Sequence, residues 1–307
     1  MNDFNSQFNE AFRLGLEGGT EGIEKVAATT NSYIKKKIRQ ESFSRKIQPM
    51  EKVGKGEVQR DESGDGFYKL VDIEPDSRAV VLNLRAQPNA RYVTGERARV
   101  NFLAISTERF EKNESELLAY EMPITKILQK NNILDIQHQE DMRFYKLMRA
   151  AVADSGLSHN ASIGSDPFQR VDLIAGKRLH AGVKLKSTSV LMTEVRYLDV
   201  ETWDATAVGD SIVTDIVKTG YEHPQLSKMN LQVTNKSDIK LATESSSEFD
   251  DEIWFFTAPE FMGKSYILED TKFYIDKRGR LIMWESWEDI AQAIINVNAV
   301  SRVKITA

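Results

Sequence analysis

The 307-residue chain contains no cysteine. Disulfides, thiolate catalysis and cysteine-ligated zinc are therefore excluded. Histidine is scarce: His138, His159, His180 and His223 are the only four, and their spacing matches neither a metal-ligand set nor a catalytic triad. There is no glycine-rich phosphate loop. The stretch "VGKGEV" (53–58) lacks both the strand-to-helix context and the Lys-Ser/Thr ending, and reads as a joint between two segments. "GDS" (209–211) lacks the surroundings of a nucleophile elbow. No apolar run approaches the ~18 residues of a membrane span, and the polar, amphipathic opening "MNDFNSQFNEAFRLGLEGG" does not read as a signal peptide. No internal repeat is present. These absences predict a protein with no catalytic residues, no cofactor and no membrane partner.

The composition is that of an ordinary globular protein, 41% hydrophobic and 28% charged, and long enough for one large core or two linked ones. The net charge of −5 hides an asymmetry. Residues 25–60 carry ten Lys/Arg against three Asp/Glu, which leaves −12 on the remainder. A basic arm on an acidic body predicts contact with nucleic acid or with the acidic body of a neighbour, and the simpler alternative is a solvated helix face.

Along the chain, residues 1–50 read as a helical arm. Phe4, Phe8, Phe12 and Leu16 share one face, Gly18-Gly19 break the helix, and a second helix starts near Thr20. "KKKIR" (35–39) places positive charge at its C-terminal end, where the helix dipole favours it. The apolar stripe of this second helix has no partner within the arm. Residues 57–98 read as a β-ribbon in which "FYKLVDI" (67–73) and "RAVVLNLR" (78–85) pair across the turn "EPDS". Such a ribbon is marginal alone and needs a neighbour. Residues 99–110 read as one strand. Residues 123–153 are mainly helical, with Leu134, Met142, Tyr145, Met148 and Val152 on one side. Helices and strands alternate beyond 157, with a helix starting at Asp166-Pro167, a buried strand at 189–195 running into a helix capped by Thr193, a short helix at 211–218, and strands "NLQVTN" and "IWFFTA". The acidic stretch 244–252 reads as a solvated loop. The last stretch reads as mostly β, with a short helix near 287–292.

Two segments are candidates for chemistry. In "DESGDGFYKLVD" (61–72), Asp61, Ser63, Asp65, Gly66 and Asp72 fall at positions 1, 3, 5, 6 and 12 of a calcium loop. Against a cation site, position 12 is the shorter Asp and the flanks read as strand and coil. In "TKFYIDKRGRLIMWESWEDIA" (271–291), a hairpin gathers Trp284 and Trp287 with Glu285, Glu288 and Asp289. Adjacent strand residues face opposite sides, so an apolar hairpin with its acids in water is preferred to a catalytic carboxylate pair, and Trp284 and Trp287 are assigned to the structural core.

The strings "VDIEPDSRAVVLNLR", "MPITKILQKNNILDIQHQED", "LMTEVRYLDVETWDATAVGD" and "FFTAPEFMGKSYILEDTKFYIDKRGRLIMWESWEDIA", together with the order of elements, resemble the tailed-phage major capsid proteins of the Hong Kong 97 fold over nearly the whole chain. The resemblance implies an α+β fold. Its parts would be an N-terminal arm (1–56), an extended β-ribbon or E-loop (57–98), a peripheral domain with a long spine helix (99–155), an axial domain (156–270) and a return to the peripheral domain (271–307). It implies a subunit that forms pentamers and hexamers, closes an icosahedral or elongated shell around double-stranded DNA, and works with portal, scaffolding and decoration proteins. Such a protein would be built into the virion after assembly in the host cytoplasm. The fifty or so residues before the ribbon are too few for a large scaffolding region, so a separate scaffolding protein, or a segment already removed, is expected. Candidate contacts between subunits are Ile23, Val26, Tyr33, Ile34, Lys35, Lys36, Lys37 and Arg39 in the arm and Phe67, Lys69, Arg78 and Arg85 in the ribbon. The alternatives are an encapsulin-like shell loaded with enzyme and, from another class, a cation-binding protein or metal-dependent hydrolase.

Overall fold

The structure is a computed structural model that describes residues 42–62, 66–73, 95–113, 124–154, 161–203, 225–236, 239–242 and 248–306, with short pieces at 81–82, 87 and 115–116. The expected arm helices before residue 42, most of the expected strand at 78–85, and the expected helix at 211–218 lie outside the described residues.

Three sheets and one long helix organise the molecule. The largest sheet has six strands in the order β7 (Ala161–Ser165), β14 (Val300–Thr306), β11 (Glu252–Phe256), β8 (Ser189–Thr193), β10 (Met229–Thr234) and β9 (Gln225–Leu226). Its central strands β8 and β11 are buried along nearly their whole length, with apolar residues at consecutive positions, because both faces are covered. Val190, Met192, Ile253, Phe255, Val303 and Ile305 face the side carrying α3 (Arg170–Gly182) and α4 (Glu194–Glu201), while Leu191, Trp254, Phe256 and Val300 face α2 (Ile124–Asp154). Helix α3 lies against the sheet at Gly176, where a Cβ would come within 2.3 Å of the Phe255 ring. This helix starts at Arg170, later than the expected Asp166-Pro167. The Gln169 N–H donates to Asp172 Oδ2 at 3.0 Å, which caps the first turn in the manner of a capping box.

The second sheet is built on a long hairpin, β12 (Gly263–Arg278) and β13 (Leu281–Ile294). Its two-residue turn places Gly279 at φ 63°, a conformation that glycine adopts without steric cost. β1 (Met50–Lys52) adds in parallel to β12, and β5 (Leu103–Ser106) and β6 (Phe110–Asn113) add antiparallel to β13. The hairpin was legible in the sequence, but the expected helix at 287–292 is strand. From Trp284 to Ile290 burial alternates strictly: Trp284, Ser286, Glu288 and Ile290 are buried and the residues between them are partly exposed. Two of the inward positions are polar, so the alternation was masked.

The third sheet is the ribbon, β2 (Gln59–Arg60), β3 (Phe67–Ile73) and β4 (Glu96–Asn101). The partner of 67–73 is thus 96–101, and the expected partner strand is absent at Val81 and Leu82, the described residues of 78–85. The single strand expected over 99–110 is divided among β4, β5 and β6. β14 leaves the hairpin and enters the six-stranded sheet between β7 and β11, so the last stretch of the chain is shared by two sheets.

Helix α2, 31 residues and so about 46 Å long, joins the sheets. Its middle stretch lies on β13, where Asn132 Nδ2 donates to Ser286 Oγ at 3.4 Å and Arg143 donates to the Ile290 carbonyl at 3.3 Å. Its second half puts Phe144, Tyr145, Met148 and Val152 into the core under the six-stranded sheet. Leu134, expected on the buried stripe, is exposed, and Ile133 and Ile136 are buried instead.

Candidate assembly surfaces and the buried ion junctions

The last part of the expected arm (1–56) is not free: residues 42–48 are fixed to the body by side chains that are polar in sequence and buried in the fold. In α1 (Phe43–Ile47), Phe43 and Ile47 enter the main core, and Phe43 stacks on Phe249 with ring centroids 5.9 Å apart. Between them Arg45 turns inward. Its Nε donates to both Glu140 carboxylate oxygens at 2.9 and 3.0 Å, and its terminal nitrogen bonds Glu140 again and Glu288 Oε2 at 2.9 Å. Thr271 Oγ1 donates to the same Glu288 oxygen at 2.9 Å. One guanidinium therefore ties α1 to α2, and through Glu288 to both strands of the hairpin. Ser42 Oγ and the Ser44 N–H both donate to Asp141 Oδ1, at 2.8 and 3.0 Å, and Lys236 Nζ reaches Asp141 Oδ2 at 2.5 Å. Gln48 completes the anchor by donating to the Ala293 carbonyl at 3.1 Å and accepting from Ser265 Oγ at 2.9 Å.

Two buried carboxylates share this single arginine. Burial pushes the Glu140 carboxyl well above the usual range, and the Glu288 charge pushes it further, with Arg45 pulling the other way. Burial and the neighbouring charge thus favour the protonated form of Glu140.

A second junction uses the acidic stretch that the sequence suggested was a solvated loop. Glu252 is buried at the head of β11 and accepts from Tyr145 OH at 2.9 Å, from Arg302 at 2.7 Å and from Arg149. Burial raises its pKa against the two arginines. Glu248 takes Lys304 at 2.5 Å and Arg149 at 3.3 Å. Asp251 binds Arg196, which also holds Asp166 at 2.7 Å and Asp199 at 3.2 Å. The acids look solvated in sequence because their countercharges come from α2, α4 and β14, far along the chain.

The sequence-based site residues are dispersed. Ile23, Val26, Tyr33, Ile34, Lys35, Lys36, Lys37, Arg39, Arg78 and Arg85 lie outside the described residues, as do Ser63 and Asp65. Phe67 stands on the ribbon half exposed, at 50%. Lys69 pairs with Glu57 at 2.5 Å and lies over the Tyr266 ring at 4.6 Å. Asp61 and Asp72 are not brought together. The Asp61 N–H closes a turn onto the Gly66 carbonyl and its carboxylate takes Arg99 at 2.5 Å. Asp72 sits six residues further along β3, about 20 Å at strand rise, on Arg97 at 2.8 Å. Trp284 is buried and stacks on Phe110 at 6.4 Å, while Trp287 is half-buried against Tyr274 at 6.1 Å. Glu285 and Asp289 are partly exposed, but Glu288 is buried, against the expectation that the hairpin acids face water.

Sequence reasoning missed Arg45, Glu140, Glu288 and Glu252. A signal existed for two of them. Glu140 lies four and eight residues before Phe144 and Met148 on the same helical stripe, and Glu288 continues the inward alternation of Trp284 and Ser286.

Large apolar side chains remain outside on several elements. Leu103 is 54% exposed beside the ribbon, Val195 and Leu198 are each 53% exposed on α4, and Ile163 on edge strand β7 and Val171 on α3 reach 76% and 70%.

No family model matches the chain, and no curated protein matches it either. Solved structures do. A chain from Microbacterium phage Oxtober96 is similar at 10% identity with a TM-score of 0.59, covering 87% of this chain and 91% of that one. A chain from the capsid of Cyanophage P-SCSP1u is similar at 9% identity and a TM-score of 0.57, covering 85% and 86%. One from the capsid of a native GTA particle gives 12%, 0.54, and 86% and 89%. The likeness is one of fold, and it is the α+β Hong Kong 97-type capsid fold that the sequence resembled.

Proposed function

We infer that this chain is the major capsid protein of a tailed phage, a structural subunit that assembles as pentamers and hexamers into a closed shell around double-stranded DNA. The observation that carries the reading is the extent of the fold likeness, which spans 85–87% of this chain and 86–91% of the capsid chains. In this reading 124–154 is the spine helix and 57–98 the E-loop. Phe67 and Lys69 lie where a neighbouring subunit docks, and the arm residues Ile23, Val26, Tyr33, Ile34, Lys35, Lys36, Lys37 and Arg39 are further candidates for contact between subunits. Two features of the subunit support it. The ribbon is half-exposed along β3, and a three-stranded ribbon with so little buried surface gains stability from a neighbour. Apolar side chains protrude from separate elements, as a closed symmetric assembly with several distinct contacts requires.

Portal and scaffolding proteins belong to this reading as partners, decoration proteins as optional ones, and the virion as its location. Purified protein tested by light scattering is expected to form species several times the 34.9 kDa subunit mass, or closed particles. A monomer that persists even with its scaffolding partner contradicts the reading.

A further inference from the structure

One wall of the molecule collects cations that pair with no carboxylate among the described residues. Lys177 and Arg178 on α3, Lys186 in the loop after it and Lys228 in the β9–β10 turn line a cavity of about 420 Å³, together with Ser187 and Ser227. Among the described residues, no acid lines this cavity and none forms an ion pair with any of the four. The pattern differs from the two buried junctions, where Arg45, Arg149, Arg302 and Lys304 hold carboxylates. Four like charges around one hollow make it attractive to an anion.

The two serines are oriented as donors. Ser227 and Lys228 both adopt positive φ, 53° and 65°, as a two-residue hairpin turn of the I′ kind requires. The turn brings Ser227 to α3, where Lys177 Nζ donates to its carbonyl oxygen and to its Oγ, each at 3.0 Å. Ser227 Oγ is thus an acceptor from lysine, and its own proton is left for another group. Ser187 Oγ lies 2.8 Å from Nδ1 of His180, a fully buried residue whose Nε2 has no partner among the described residues. Burial lowers the His180 pKa to about 4, so the ring is neutral at neutral pH. A buried orphan N–H costs more than an orphan lone pair, which assigns the proton to Nδ1 and makes Ser187 its acceptor. The Ser187 hydroxyl proton is then free to turn to the cavity. Two hydroxyls, three ammonium groups and one guanidinium converge, and the guanidinium fork matches a phosphate in two-point contact.

We propose that this cavity is a phosphate-binding site that takes the oxyanions of free phosphate or of a nucleic-acid backbone. The site stands apart from the shell reading and has its own test. The full chain is titrated at low salt with inorganic phosphate by calorimetry and with a short DNA duplex by fluorescence anisotropy. The variants are Lys186→Glu, Ser187→Ala and, as a control away from the cavity, Lys240→Glu. Wild-type protein is expected to bind phosphate. Lys186→Glu is expected to weaken binding and, where the duplex binds, to lower the slope of log affinity against log salt by about 1. Ser187→Ala is expected to weaken phosphate binding with no change in net charge, and Lys240→Glu to leave binding unchanged. Binding of both ligands, each displacing the other, assigns the site to nucleic-acid phosphates as well. Binding of phosphate alone assigns it to the free ion. The proposal is overturned if neither binds, if Lys240→Glu weakens binding as much as Lys186→Glu, or if an acidic peptide outcompetes both phosphate ligands. Shell formation is scored separately on the same variants: intact shells without phosphate binding remove this site and leave the shell reading standing, and the converse result does the reverse.

Discussion

At the scale of single residues, Arg45 is the cation for two buried acids on two different elements. Removing it leaves both carboxylates without a countercharge. Arg45→Ala is expected to lower stability by about 3–5 kcal/mol, read by chemical denaturation of the unassembled subunit. Glu140 makes the opposite kind of prediction. Its folded pKa lies above the unfolded carboxylate value of about 4.3. The folded protein therefore holds this proton more tightly than the unfolded chain, and the associated stability is complete below pH ~4.3 and lost as pH rises through the folded value. Glu140→Gln keeps an oxygen for Arg45 and removes the titration. The stability of the wild type relative to this variant is expected to fall from acid toward neutral pH, and denaturation midpoints across that range check it. A flat difference would mean that folding leaves the Glu140 pKa where it is in the unfolded chain.

At the scale of elements, the helix–sheet contact at Gly176 and the hairpin seam at Trp284 are the exacting places. A side chain at 176 has to displace the Phe255 ring, so Gly176→Val is expected to cost about 1–3 kcal/mol by overpacking, and Phe255→Leu in the same chain to recover part of it. Trp284→Ala removes a buried ring stacked on Phe110 and is expected to cost about 3–5 kcal/mol, with Trp287→Ala, half-buried, costing clearly less. Thermal melts of the two variants rank them, and equal losses would contradict the burial difference.

The same elements mark what a sequence discloses. The hairpin at 271–291 was legible because Thr271 to Asp276 alternates and "KRGR" turns. Its continuation past 286 was not, since Ser286 and Glu288 occupy inward positions and "WEDIAQAI" has helix-forming composition. The long helix was legible from its stripe, but Leu134 was placed on the wrong side because Asn132, Gln137, Glu140 and Asp141 hold buried positions that an apolar pattern skips. The partner of β3 was missed because a nearby apolar run, 78–85, competes with 96–101, and local pattern carries no information about which strand closes the ladder. The acids at 248–252 pair with residues up to about a hundred positions away, a distance at which spacing says nothing.

At the scale of the whole molecule, α2 holds two sheets in one body and the Ser42–Gln48 anchor fixes where the chain enters it. The polar junctions at Glu140 and Glu252 are internal, while the apolar side chains of the ribbon, α4 and β7 are left outside. Such a subunit is rigid inside and has unsatisfied surfaces, and it is suited to repeated contacts with copies of itself. The measurement that tests this most directly is cryo-electron microscopy of the purified chain, expressed alone and with a candidate scaffolding protein. The account predicts closed particles whose density accepts this fold in five-fold and six-fold clusters, with the ribbon of each subunit lying on its neighbour. A field of monodisperse single subunits, or of open aggregates without such symmetry, would contradict it.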